Sequence, residues 1–224
     1  MMPLGCLPLI IFFWLLFMLP FFFGNFILTA LVKLGFAPWV GAHIVFWIFF
    51  GGMINIPVKK IPRNAPVEVY PPAYLGMDRF FRRYWDMDYT VIAVNLGGCV
   101  IPCLIAVYEG LILAQVGPRA VTAGLIATAI NILVCYRLAK PVPYVGIAMP
   151  AFVPPLMAAL CALILLPELA PPVAFIAGVL GPLIGADLMH MKDLNRISTG
   201  MASIGGAGTF DGIVLSGLIA ALLA

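Results

Sequence analysis

Residues 171–224 read PPVAFIAGVLGPLIGADLMHMKDLNRISTGMASIGGAGTFDGIVLSGLIAALLA. Two apolar runs flank a short polar connection, and each run carries one aspartate. Asp187 sits in GPLIGADLMH, near the end of the first run, and Asp211 sits in GGAGTFDG, at the start of the second. Apolar runs of this kind predict membrane helices folded back on each other. Carboxylates inside a bilayer are costly to hold there, so both aspartates are functional candidates from the outset.

The rest of the chain supports a membrane setting. Of 224 residues, 64% are hydrophobic and only 9% charged, with a mean hydropathy of +1.14. Repeated apolar runs near twenty residues predict an all-α polytopic membrane protein forming one integral domain over 1–224. The net charge of +3 is too small to point to nucleic acid as a partner. The five cysteines, Cys6, Cys99, Cys103, Cys135 and Cys161, lie in or beside apolar runs. Cys99 and Cys103 have the spacing to share a helix face and hold a metal, but such residues are mostly small buried apolar groups. No structural disulfide, metal or cofactor is expected.

Taken in order, the first span covers about 4–23, and its start lacks the basic region of a signal peptide, so it reads as a retained helix. Residues 25–35 read as a connector or interfacial helix holding Lys33. A second span, about 38–54, contains His43 and stops at Pro57. Residues 59–89 form the one long polar loop. Within it PVEVYPPAY predicts a short strand or hairpin, and FFRRYWDMDY has the composition of a membrane-interface belt.

The third span, 90–115, contains Asn95-Leu96-Gly97-Gly98 followed by Pro102, which predicts an unwound or kinked section at membrane depth. The fourth span, 120–136, carries Asn131. Five prolines between Pro141 and Pro155 predict an extended or re-entrant stretch before a fifth span ending near Pro167. The two aspartate-bearing runs make seven spans, with no internal repeat. With the N-terminus inside, the cytoplasmic loops receive Lys59, Lys60, Arg63, Arg79, Arg82, Arg83, Arg137, Lys140, Lys192 and Arg196, and the outside only Lys33 and Arg119. That bias sets the orientation and places both aspartates toward the cytoplasmic face.

Asp187 precedes Lys192 by five residues, about 7.5 Å along a regular helix, and residues 210–224 make roughly 22 Å of helix. The second run is therefore shorter than a bilayer core of about 30 Å, so the glycine run 205–208 is expected to enter the membrane as irregular backbone and carry Asp211 toward Asp187. A carboxylate dyad of this kind activates water against a peptide carbonyl. The helix dipole suits a carboxylate at Asp211, so that residue is read as the base and Asp187 as the acid. Asn95, Gly97, Gly98, Pro154, Pro155 and Gly208 would position the substrate backbone.

Plainer readings stand beside these. Asp211 can cap free N–H groups at a helix start, and Asp187 can accept a bond from Asn95 or Asn131 that only fixes packing. His190 follows Asp187 by three and shares its face; it would join a metal site or proton relay, or sit at the interface. Glu109, in Y-E-G, would carry a proton or pair with His43. The Asn95–Gly98 break either supplies N–H groups to a ligand or permits close helix crossing.

At NLGGCVIP, VPPLMAAL, LIGADLMH and ASIGGAGTFDGIVLSGLIAALL the sequence resembles the uncharacterised prokaryotic membrane family called domain of unknown function 1614, over almost the whole chain. The resemblance implies a multi-pass protein of the prokaryotic plasma membrane, with Asn95, Gly97, Gly98, Pro102, Pro154, Pro155, Asp187 and Asp211 as motif residues; it implies no activity. A second resemblance, of chemistry only, is to the presenilin-type and prepilin-peptidase-type intramembrane aspartyl proteases. Neither aspartate lies in Gly-x-Gly-Asp, and Pro154-Pro155-Leu156 precedes rather than follows the acids. The leading expectation is an aspartyl hydrolase acting on a transmembrane peptide within the lipid bilayer. Its alternatives are a small proton- or cation-coupled transporter or channel, and a non-catalytic scaffold.

Overall fold

A computed structural model describes residues 7–62, 89–142, 146–196, 201–206 and 212–224. Its helices are α1 (Leu7–Lys33), α2 (Pro38–Gly51), α3 (Ile101–Val116), α4 (Pro118–Leu138), α5 (Val153–Leu165), α6 (Ala170–Leu180) and α7 (Gly212–Leu223). Two π-helical turns extend this set: Leu96–Val100 leads into α3, and Gly181–Leu188 continues α6.

Helix α6 is the axis of the bundle. Its sequence, APPVAFIAGVL, is apolar on every side and is buried from Ala170 through Val179 apart from the half-buried Pro171, as a helix surrounded by other helices must be. Helices α3, α4, α5 and α7 pack around it, while α1 lies against α7 and α2 against the first π turn. The outer faces stay apolar: Phe21, Trp39, Leu125 and Ile164 are all at least 66% exposed. A surface of that kind is solvated by lipid tails more readily than by water.

Among the described residues, three helical stretches, Leu96–Val116, Pro118–Leu138 and Pro167–Asp193, are long and apolar enough to cross a membrane. This is fewer than the seven spans expected. Pro38–Gly51, Val153–Leu165 and Gly212–Leu223 have 14, 13 and 12 residues, against the twenty or so that a perpendicular crossing takes. The expected connector at 25–35 is absorbed into α1, which runs unbroken to Lys33.

Strand pairing replaces helix at one end of the bundle. The third span was expected to be helical from 90, but Tyr89–Asn95 is a strand, β2. It pairs antiparallel with β1 (Asn55–Pro62) and parallel with β5 (Met201–Ile204). The β-branched run TVIAV suits a half-buried pleated surface, and β1 and β5 supply its backbone partners on both sides. Ile92 is buried there against Ile61, Ile147, Met191, Ala202 and Ile204. The expected hairpin segment PVEVYPPAY lies outside the described residues, as does most of the 59–89 loop; the strands observed stand at the two edges of that loop. The proline-rich stretch after α4 is extended, as β3 (Lys140–Val142) paired with β4 (Gly146–Ala148).

Cationic side chains divide between the two ends. Lys59, Lys60, Arg137, Lys140 and Lys192 belong to the sheet-bearing end. At the other end, Arg119 stands at the α3–α4 turn and Lys33 donates to the Leu222 carbonyl at 2.8 Å, where the C-terminal end of α7 favours a cation.

Candidate functional site at the sheet-bearing end of the bundle

The site begins at Asn95, where β2 stops and the first π turn starts. Its side chain is fully buried and uses both polar atoms. Oδ1 accepts from the Gly98 N–H at 2.7 Å, capping the turn. Nδ2 donates to the Gly52 carbonyl at 2.8 Å and to Asn55 Oδ1 at 3.0 Å. Ser203 donates to the same Asn55 oxygen at 2.6 Å. Asn55, Asn95 and Ser203 thus bridge β1, β2 and β5 at the point where the sheet meets the bundle. Asn55 and Ser203 were not singled out from the sequence; their signal was a polar residue inside the apolar runs INIP and ASIG, which is weak by itself.

The glycines of NLGG make close backbone packing possible. At Gly97, a Cβ would overlap the backbone of Ile48 and Gly52 at the end of α2. At Gly98, it would stand where the Gly205 carbonyl lies, with the Gly205 carbonyl carbon at 3.0 Å. Gly205 has φ 82°, and the parallel β2–β5 register, continued by one residue from Val94↔Ile204, brings it opposite Asn95. The Gly97→Ala protein is expected to lose about 2 kcal/mol of stability, because backbone cannot rotate away from an added methyl as a side chain can. At Gly110, a Cβ would meet nothing within 4 Å, so Gly110→Ala should melt at or slightly above the wild-type temperature. Thermal unfolding of the two variants in the same lipid or detergent checks this contrast.

Asp187 reaches the same place from the second π segment. Its carboxylate accepts a long hydrogen bond, 3.5 Å, from the Gly205 N–H, and its side chain is half-buried. The expectation of a regular helix from Asp187 to Lys192 is corrected here. Gly181–Leu188 is π-helical, Met189–His190 is a turn, and Met191–Arg196 is a 3-10 helix. Pro182 has no N–H for the carbonyl of Gly178, which loosens the ladder at that level. Gly181 and Gly185, four apart, let the segment lie close against α4, with Asn131 at the first and Cys135 and the Tyr136 N–H at the second. Each π turn has a proline at or just after it, Pro102 or Pro182, and the two meet across Gly205. Such turns cluster at functional sites.

The other expected residues fall into place as follows. Pro154 and Pro155 are buried in the first turn of α5, at this same end of the bundle. Just before them, Ala151 and Phe152 share an apolar cleft of about 420 Å³ with Phe22, Phe23, Phe26, Gly212, Leu215 and Ile219. Gly208 and Asp211 lie outside the described residues; α7 opens at Gly212, immediately after Asp211, and packs against the π segment that carries Asp187.

His190 is buried, its Nδ1–H donating to the carbonyls of Gly185 and Ala186 at 3.1 Å each and its ring 5.0 Å from that of Tyr136. It closes the π segment. Asn131 donates to the Ala177 carbonyl at 2.8 Å, so it braces α6. His43 is exposed and donates to the Trp39 carbonyl at 2.7 Å. Among the described residues, no three His, Cys, Asp or Glu side chains stand close enough to hold a metal.

Residues 49–223 match the family described as Protein of unknown function (DUF1614). The chain belongs to the DUF1614 family. The match takes in both π turns, the sheet and the helices from the end of α2 to α7, so the Asn95–Gly98–Gly205–Asp187 arrangement lies wholly within the family's extent. No curated protein and no solved structure matches the chain. Neither comparison supports the likeness to intramembrane aspartyl proteases.

Proposed function

We propose that this chain is a membrane hydrolase whose site is Asp187 with Asp211, acting on a peptide segment that enters from the lipid phase. The observation that carries the reading is the convergence at Gly205. The Asp187 carboxylate, the two π turns and the end of β5 at Ile204 come together at one end of the bundle, and α7 begins beside them, with Asp211 the residue before it in the sequence. Asp187 is the acid and Asp211 the base that activates water, in the division of labour that two unlike carboxyl environments allow. The apolar cleft beside Gly212 is open to the lipid-facing side and suits an apolar peptide. The Gly97–Gly98 turn, packed on the end of α2 and on Gly205, would fix the backbone beside Asp187, and Pro154 and Pro155 open α5 directly after the cleft residues Ala151 and Phe152. By the distribution of cationic residues this end would face the cytoplasm, and the membrane that the family resemblance implies is a prokaryotic plasma membrane.

The test is cleavage of a library of transmembrane peptides by purified protein in lipid. Fragments formed by the wild type and lost in both Asp187→Asn and Asp211→Asn support the proposal. Fragments that persist in either variant overturn it, as does a wild type that cuts nothing. Proton or cation flux in liposomes, lost in those same variants without any cleavage, would assign the aspartates to transport instead.

A further inference from the structure

A fully buried acid stands away from this site. Glu109, in the middle of α3, is 1% exposed, and its Oε1 has no hydrogen-bond partner; Thr128 of α4 is 8% exposed, and its Oγ1 has none either. The register of the two helices brings these residues to one level. α3 and α4 are antiparallel about Gly117, and Leu113 is the side chain that a Cβ at Gly124 would meet, at 3.2 Å. Glu109 lies four residues before Leu113, and Thr128 four after Gly124. Each is therefore one turn further in, about 6 Å, on the face that already makes contact. That level is about 12 Å of helix from the turn at Gly117, well inside a bilayer core of about 30 Å. The neighbouring buried positions on the two helices are the apolar Ile105, Ala106, Leu113, Ala123 and Ala127 and, one turn further along α4, Asn131, whose Nδ2 is committed to the Ala177 carbonyl.

A carboxyl and a hydroxyl in apolar surroundings need partners for their oxygens, and a bare carboxylate needs a countercharge. Among the described residues packed around α3, no cation supplies one. On α4, Arg119 is exposed at the turn, while Cys135, Tyr136 and Arg137 stand at the far end. On α2, His43 is exposed and bonded to its own helix; the first π turn offers Cys99, and α3 itself Cys103 and the exposed Tyr108. Helices α6 and α7 carry no titratable residue within Ala170–Leu180 or Gly212–Leu223. Three side-chain oxygens, two from Glu109 and one from Thr128, also fall well short of the six or more that a hard metal cation takes.

We propose that Glu109 and Thr128 form a proton-exchange site within the membrane-spanning bundle. A carboxylate at Glu109 takes a proton from hydronium and leaves water. The acid then donates through a single water to the Thr128 hydroxyl, and the reverse steps release the proton. This site is distinct from the Asp187 arrangement and does not rest on the hydrolase reading.

Infrared spectroscopy of the protein in lipid bilayers tests it through the C=O stretch of a protonated carboxyl. The wild type is expected to show such a band, absent in Glu109→Gln and retained in Asp187→Asn. The band should shift in D2O, vanish in alkaline buffer and ignore excess sodium. In Thr128→Val, which keeps the carboxyl, the band should remain but shift in frequency. A band that is missing at every pH, that is unmoved by alkali and D2O, or that is the same in Thr128→Val overturns the proposal. Loss of the band on adding sodium at fixed pH also overturns it, in favour of an alkali-ion site.

Discussion

Asn95→Ala is expected to destabilise the protein by roughly 3 kcal/mol, because the change leaves buried partners behind rather than removing them. The Gly98 N–H and the Gly52 carbonyl each lose the only side-chain partner shown for them, and Asn55 keeps only the bond from Ser203. Each orphaned buried group costs about 1–3 kcal/mol. For a chain of this length, the sum lowers the melting temperature by roughly 6–12 °C. Asn95→Asp should be worse still. It preserves shape and the bond from Gly98, but it turns an oxygen toward the oxygens of Gly52 and Asn55 with no hydrogen between them. Asn55→Ala should cost less, since Asn55 is only half-buried. In a double-mutant cycle the Asn55 and Asn95 effects should be non-additive, as for residues in one network. An Asn95→Ala protein that melts with the wild type would show that the junction between sheet and bundle is not held by this side chain.

The largest functional effect is expected at Asp187. Asparagine there has the same shape and still offers an oxygen to the Gly205 N–H, so folding should be preserved to within about 0.5 kcal/mol, the usual range for a change that removes no packing. What it lacks is the proton to transfer. A positioned acid or base contributes about 10²–10⁴-fold to a rate, and peptide cleavage by Asp187→Asn should fall by that much while its melting temperature stays in place. Asp211→Asn should do the same. The double variant should be no slower than the slower single one, because groups that act as a unit are not additive. Cleavage that falls in proportion to a falling melting temperature would mean that Asp187 serves packing only.

Much of this molecule can be read from its residues. The apolar runs announce helices, Asn95-Leu96-Gly97-Gly98 announces a break in one of them, and the five prolines from Pro141 to Pro155 announce an extended stretch. These are local signals: a backbone amide absent at proline, a Cβ absent at glycine, a polar side chain in an apolar run. The strand at Tyr89–Asn95 was not legible in that way. TVIAV reads equally well as the start of a buried helix, and only β1 and β5, one of them more than a hundred residues away in the chain, tip it toward extended backbone.

The same division applies to the site. Asp187, Gly97 and Gly98 stand out in the sequence as an acid and two glycines within apolar runs. That Gly205 is the point at which they meet is a property of the parallel β2–β5 register, which no periodicity encodes. His190 looked like a partner for Asp187 on a regular helix, yet the π turn that starts at Gly181 and Pro182 sends its ring back to the carbonyls of Gly185 and Ala186. Glu109 was visible as an isolated acid from the start, while its neighbour Thr128 became meaningful only once Leu113 was seen against Gly124. Residue type and spacing decide which groups resist being buried, because that is a property of each side chain and its nearest neighbours along the chain. Which of those groups share a pocket is decided by contacts between distant segments, and only the packed bundle contains them.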